Sequence, residues 1–274
     1  MAFPLPETLS PSKVSSFTDC ALAFRFSAID RLPEPPSLPA VRGSLVHAAL
    51  ERLFVLEAAD RTPDRAQHCL DEAWAAFQTD TEFVGLDLDT ETADEMLSAA
   101  RTLVANEFLL EDPTAISPIG IEVMLEIELD GVRLRGIIDR LELDDDGELV
   151  VTDYKSGRAP SERFEQGRLV GVQFYAMLCE QLFGRRPARV QLVYLGGSSP
   201  EMIIHTPNDR ATVNLERKLR AIWQAVERAC EREDFRPNPG KLCDWCGFKA
   251  YCPAFGGDPA SAVEMRPDPL VAVG

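Results

Sequence analysis

Three patterns in this 274-residue sequence predict an α/β fold, a central sheet flanked by helices. Val132, Leu134, Gly136 and Ile138 alternate with Arg133, Arg135, Ile137 and Asp139, which is the period of a half-buried strand. Leu149-Val150-Val151-Thr152 is a β-branched run, and Asp144-Asp145-Asp146-Gly147 before it is a turn signal. Helical periods lie on both sides, over Pro63–Phe77, Glu91–Phe108, Gly167–Leu182 and Asn208–Glu233.

In chain order, residues 1–115 are expected to be mainly helical. The Pro-rich stretch Leu32–Pro39 reads as a loop, and a helix begins near Leu45 and runs to Leu56. An acidic linker, Thr79–Thr92, separates the next two helices. Residues 116–205 hold the central strands, the Gly167–Leu182 helix and a further strand, Ala188–Leu195. The long helix from Asn208 leads to a cysteine cluster in 206–256. Residues 1–256 are thus expected to form one domain, followed by a flexible tail, 257–274.

The hairpin carries the chemistry. Its two strands pair antiparallel, so Asp139 on the first and Asp153 on the second, both near strand ends, can share a hard divalent cation. Side chains on a strand alternate faces. Asp153 and Lys155 therefore point one way, and Tyr154 points into the other layer. A lysine beside such a metal can address the water it holds, which is the chemistry of phosphodiester hydrolysis. Either motif alone is equally well explained by surface ion pairing, with Arg140 or Arg135 as the partner of Asp139. The two in order, followed by Ser156-Gly157, favour the site.

With these residues the sequence resembles the PD-(D/E)XK nuclease superfamily in its RecB-like branch, which includes the AddB nuclease domain and CRISPR-associated exonucleases. Arg42-Gly43-Ser44-Leu45-Val46-His47 looks like that branch's Gly-x-x-x-His motif, and Leu9-Ser10-Pro11-Ser12 with Phe24-Arg25-Phe26 looks like its start. The resemblance spans roughly residues 8–256 and implies a restriction-endonuclease-like central mixed sheet. It also implies that His47, Asp139, Asp153 and the backbone carbonyl of Tyr154 hold one or two Mg or Mn ions, with Lys155 acting on the water. Imidazole suits Mn better than Mg, which prefers oxygen. Glu122 either supports the site or, as the reading favoured here, belongs to a solvated strand face with Glu126 and Glu128.

The branch also has a Gln-x-x-x-Tyr helix that helps hold nucleic acid. Here Tyr175 fits, but Gly171 stands where glutamine is expected, and Gln173 is two places late. On a helix that shift turns the amide by roughly 200°. Tyr175 and Gln173 remain the DNA-binding candidates on this helix. Arg42, Arg158, Arg163, Arg168 and Arg140 either meet phosphates or are ordinary surface charge.

Cys243-x2-Cys246-x5-Cys252 has metal-ligand spacing, with Cys20 far upstream as the natural fourth ligand. The arrangement resembles the branch's iron-sulfur staple, implying a 4Fe-4S cluster. Spacing alone fits a structural Zn equally well. A disulfide framework is not expected, because the cysteine count is odd and the chain opens on Met1-Ala2-Phe3-Pro4 rather than a secretory leader. Cys69, Cys179 and Cys230 read as buried apolar residues.

The net charge of -17 opposes a nucleic-acid function, but it is concentrated. Residues 51–130 contain 4 basic and 20 acidic side chains, whereas 131–190 contain 10 of each. That acidic segment would either steer duplexes away or bind a basic partner. No apolar stretch approaches the roughly 20 residues of a membrane span, so no membrane role is expected and the location is expected to be cytoplasmic. The function expected is a metal-dependent DNA exonuclease preferring single-stranded or end-opened DNA. The alternative is a weakly active or inactive scaffold subunit within a repair or helicase assembly. A zinc-stabilised interaction module would explain the cysteines but not the acids.

Overall fold

The computed structural model describes residues 3–160 and 165–262, with backbone alone at 165–169. Its helices are α1 (Pro11–Asp19), α2 (Ala21–Phe24), α3 (Leu38–Val55), α4 (Pro63–Phe77), α5 (Thr81–Val84), α6 (Thr90–Leu110), α7 (Glu165–Phe183) and α8 (Asp209–Arg232). The strands are β1 (Pro118–Leu129), β2 (Val132–Leu143), β3 (Leu149–Lys155), β4 (Arg189–Tyr194) and β5 (Glu201–His205). They form a mixed five-stranded sheet in the order β1-β2-β3-β4-β5.

β2 and β3 run antiparallel with Arg140 opposite Thr152, while β3 and β4 run parallel with Asp153 opposite Leu192. A parallel pair cannot be joined by a tight turn, and α7 supplies the crossover. β5 closes the edge antiparallel to β4. This five-residue strand was not expected; it lies between Ser198-Ser199-Pro200 and Pro207, too short to show a period of its own.

Two local expectations change. Helix α3 begins at Leu38, not near Leu45, because Ser37 caps it by accepting a hydrogen bond from the Ala40 amide at 3.4 Å. Pro39 costs little in that first turn, where backbone N–H groups have no helical partner. The acidic linker contains the short helix α5, capped by Asp80, whose carboxylate accepts from the Glu82 amide at 2.8 Å.

The chain divides into two compact units. One comprises Pro36–Leu125 and Gly136–Thr212. Its core packs Leu45, Leu50, Leu53 and Phe54 of α3 against Cys69 and Leu70 of α4, Met96 and Val104 of α6, and Tyr154 of β3. The other comprises Met1–Pro35, Glu126–Arg135 and Val213–Gly274. Its core joins Leu22, Phe24 and Phe26 to Val226 and Cys230 of α8, and to Phe235 and Phe248. The expected tail falls mostly on 263–274, outside the described residues; before it, Gly257 donates its amide to the Cys252 carbonyl at 3.0 Å and Ala262 is buried.

Candidate active site

The β2 pattern puts Val132, Leu134, Gly136 and Ile138 inside and leaves Asp139 half-buried on the opposite face. One residue past the register pair Arg140–Thr152, Asp139 meets the start of the Asp153–Lys155 segment. The Tyr154 amide donates to Asp139 Oδ2 at 2.6 Å, so the first carboxylate is fixed by the backbone of the second motif. Such a bond leaves Oδ1 to face elsewhere, and His47 Nδ1 of α3 lies 3.6 Å from it.

Gly43, one turn before His47, explains why the motif begins with glycine. A Cβ there would come within 3.0 Å of Ser156 Oγ, so its absence lets the segment after Lys155 approach the helix. Gly196, just past β4, serves the same segment, since a Cβ there would lie 2.5 Å from the Ser156 carbonyl oxygen. A cleft of about 630 Å³ opens over His47, Ser44, Glu51, Glu122 and Ser156.

Glu122 is the correction. It does not simply share the solvated face of Glu126 and Glu128. Ligand atoms of His47, Glu122 and Asp139 all lie within 4.8 Å of one another, as a group that could hold a metal ion. The cause is local: Glu122 has a left-handed backbone (φ 49), which breaks the strand's alternation and re-aims its side chain. Gly120 belongs to the same irregularity, because a Cβ on it would strike Val123 Cγ2 at 2.4 Å. A glycine two residues before an acid in an otherwise regular strand was the one signal available in the sequence.

The electrostatics agree with a cation site. Burial opposes protonation of His47, but its hydrogen bond to Asp139 and that carboxylate's charge outweigh burial and raise its pKa. Glu122 is pushed up by burial and then by Asp139. Asp153, 5% exposed, is pushed up by burial and by Asp139 against the pull of Lys155, with which it forms a close ion pair. Acids that raise one another's pKa are crowded negative charge, which a divalent cation relieves.

Tyr175 of α7 feels the charge of the same acids: its pKa is raised by burial, then by Asp153, Asp139 and Glu122. Gly171 lies one turn before it, and a Cβ there would meet nothing within 4 Å. Gln173 is half-buried on the same helix, Arg42 is half-buried on α3, and Arg158 is exposed beyond β3. Arg163 and the side chain of Arg168 lie outside the described residues.

Arg140 does not face phosphates. It continues the inward parity of Ile138 and is fully buried. Its guanidinium meets Glu111 at 2.9 Å, Glu142 at 2.6 Å and Thr152 Oγ1 at 3.1 Å, bonds the Tyr154 hydroxyl, and lies 4.5 Å from the Phe54 ring centre. The Tyr154 hydroxyl in turn donates to Glu107 Oε1 at 3.1 Å. Burial, then the charge of Glu111, pushes Glu107 up to about 8.

In the other unit, Cys20, Cys243, Cys246 and Cys252 line one cavity of about 430 Å³ together with Phe26, Phe248 and Trp245. All four thiols are half-exposed and free, and Cys246 has its pKa raised by burial and then by the other three. Among the described residues, the His47 group is the one set of three or more potential ligands whose atoms all lie within 4.8 Å of one another. Cys69, Cys179 and Cys230 are buried, as expected.

A mixed sheet bearing two carboxylates on an antiparallel pair, a lysine two residues beyond the second, and a third acid and a histidine beside the first is the arrangement of a nuclease fold with a group that could hold a divalent metal. Residues 8–253 match the PD-(D/E)XK nuclease superfamily, and the chain belongs to it. The chain is 25% identical over 275 residues to the Gene 69 protein of Mycobacterium phage D29, covering 90% of this chain and 96% of that protein. It is 29% identical over 136 residues to the Gene 69 protein of Mycobacterium phage L5, covering 49% of this chain and 44% of that one. A crystal structure of a candidate exonuclease from Eubacterium rectale superposes with a TM-score of 0.55 at 15% identity, covering 88% of this chain and 87% of its own, a likeness of fold. No helix among the described residues is long and apolar enough to cross a membrane.

Proposed function

We propose that this protein is a metal-dependent deoxyribonuclease of the cytoplasm, an exonuclease acting on single-stranded or end-opened DNA in repair or recombination. The observation that carries the proposal is the convergence of His47, Glu122 and Asp139 ligand atoms within 4.8 Å, beside the Asp153–Lys155 ion pair. His47 Nδ1, the carboxylates of Glu122, Asp139 and Asp153, and the Tyr154 carbonyl would hold Mn or Mg. The metal, when bound, polarises the scissile phosphate and acidifies a water. Lys155 Nζ, held by its ion pair with Asp153, would orient a water at the site and exchange a proton with it. His47 in the donor set favours Mn at least as strongly as Mg. Tyr175, whose phenol feels the charge of the same acids, fits a strand-holding role.

The resemblance of the cysteine pattern to an iron-sulfur staple leads us to propose a 4Fe-4S cluster held by Cys20, Cys243, Cys246 and Cys252, which line one cavity. Four cysteine ligands suit a structural zinc equally well. A brown colour and a broad visible band from anaerobically purified protein, lost in Cys246→Ser, would support the cluster; a colourless protein with one zinc per chain would replace it.

Gly171 and the net charge of -17 favour a second reading, a nuclease-fold scaffold subunit that works with a helicase or repair partner. The deciding experiment is cleavage of end-labelled single-stranded and duplex DNA with Mn or Mg. Metal-dependent cleavage lost in Asp153→Ala supports the enzyme. No cleavage by folded, metal-loaded protein moves the assignment to the scaffold.

A further inference from the structure

Arg140 presents an energetic puzzle. Its side chain is wholly excluded from water, and three acids, Glu107, Glu111 and Glu142, surround one cation. Burying charge is expensive, and well-packed apolar residues often do as well or better for stability. The placement of the cluster offers another role. It lies on the reverse of the strands that carry Asp139 and Asp153, and each member is an odd number of residues from the catalytic group on its own strand: Arg140 follows Asp139, and Thr152 and Tyr154 flank Asp153.

We propose that Arg140, with Glu107 and Glu111, is a positioning device that holds Tyr154, and through it the spacing of the metal ligands. Arg140 is opposite Thr152 in the β2–β3 ladder and bonds its hydroxyl directly. It also bonds the Tyr154 phenol, whose other partner is Glu107 of α6. The same residue's amide fixes Asp139 Oδ2. Phe54 of α3 stacks on Tyr154 with ring centres 6.4 Å apart, and His47, two turns earlier on α3, meets that ring edge-on at 6.3 Å. One buried aromatic residue is thus tied to β2, α6 and α3.

Register explains why charge is used. A one-residue slip between strands turns every side chain to the opposite face. A purely apolar β2 would lose little if Asp139 and its neighbours slipped. With Arg140 matched to fixed acids, a slip would strand a guanidinium on one side and bare carboxylates on the other. The network therefore specifies the register that places Asp139 beside the Tyr154 amide.

This inference rests on the proposed metal site and is tested by Mn binding, measured calorimetrically, alongside thermal stability and cleavage kinetics. Arg140→Met is the direct variant but risks misfolding. Tyr154→Phe removes one oxygen and keeps the ring. Tyr154→Phe should bind Mn 10- to 100-fold more weakly, the range seen when groups behind metal ligands are lost, with a comparable fall in kcat and little change in KM for DNA. Leu70→Ala, in the same core but outside the network, should lower the melting temperature and leave Mn affinity unchanged. Wild-type Mn affinity and kcat in Tyr154→Phe, or an equal loss of affinity in Leu70→Ala, would overturn the positioning role. Wild-type protein that binds no Mn would instead overturn the site on which the inference stands.

Discussion

A Cβ placed on Gly136 would lie 3.0 Å from Tyr175 Cε1 and 3.0 Å from Leu178 Cδ1. Strand β2 is therefore bare at the point where α7 packs on it, and the Tyr175 ring occupies that gap. Gly136→Ala is expected to displace the ring, costing about 1–3 kcal/mol as an overpacked core does, and to reduce cleavage more than its stability loss explains. Thermal melts and single-turnover rates check this; a destabilised protein with unchanged turnover would show that the tyrosine's exact position is immaterial.

Glu122 is held at φ 49, a conformation that costs a residue with a Cβ roughly 1–2 kcal/mol. Glu122→Gly should therefore raise the melting temperature while weakening Mn binding at least tenfold. Glu122→Gln should weaken Mn binding without the gain in stability. A glycine variant that loses stability would mean that the carboxylate helps the fold more than the bent backbone hurts it.

Gly171 sits in the body of a helix with open space around it. Gly171→Gln should stabilise the helix by about 1 kcal/mol and lower KM for single-stranded DNA several-fold with kcat unchanged. A higher melting temperature with unaltered KM would place that face of α7 away from the strand.

Glu107 keeps its proton in the folded protein up to about pH 8, whereas an unfolded chain loses it near 4.3. The folded state thus binds more protons across that window, so this residue's contribution to stability is greatest below pH 4 and declines as pH rises towards 8. The decline is on the order of a few kcal/mol. Glu107→Gln, a neutral mimic, should flatten the urea midpoint measured from pH 5 to 8. An equally steep decline in the variant would assign the pH dependence to other groups.

Much of the architecture was legible because periodicity reports local geometry. Alternation in 132–139 and the turn at Asp144–Gly147 gave the β2–β3 hairpin, and the α4 helix falls on Pro63–Phe77 as read. Helix α3 starts ahead of its apolar period because Ser37 caps it inside a Pro-rich stretch whose composition by itself signals a loop. Glu122 and Arg140 were misread for one reason: both depend on which face a charged residue takes. Arg140 shares the parity of Ile138, and that parity is the clue; of the acids that receive it, Glu142 is two residues on, but Glu107 in α6 and Glu111 just past it lie outside any local window. Glu122 escaped because a single left-handed residue reverses the alternation on which such a reading relies.

Between residues 79 and 100 the chain has no lysine or arginine, and Asp80, Glu82, Asp87, Asp89, Glu91, Asp94 and Glu95 are all exposed. Most DNA-binding proteins lose affinity steadily as ionic strength rises, because phosphate contacts release counterions. Here a polyanionic substrate must first approach a protein of net charge -17. At low ionic strength that repulsion is long-ranged, and by 0.1 M salt it is confined to about 10 Å. Moderate salt should therefore speed the encounter before higher salt weakens the grip, so the rate of cleavage should pass through a maximum with ionic strength where an ordinary basic nuclease shows only decline.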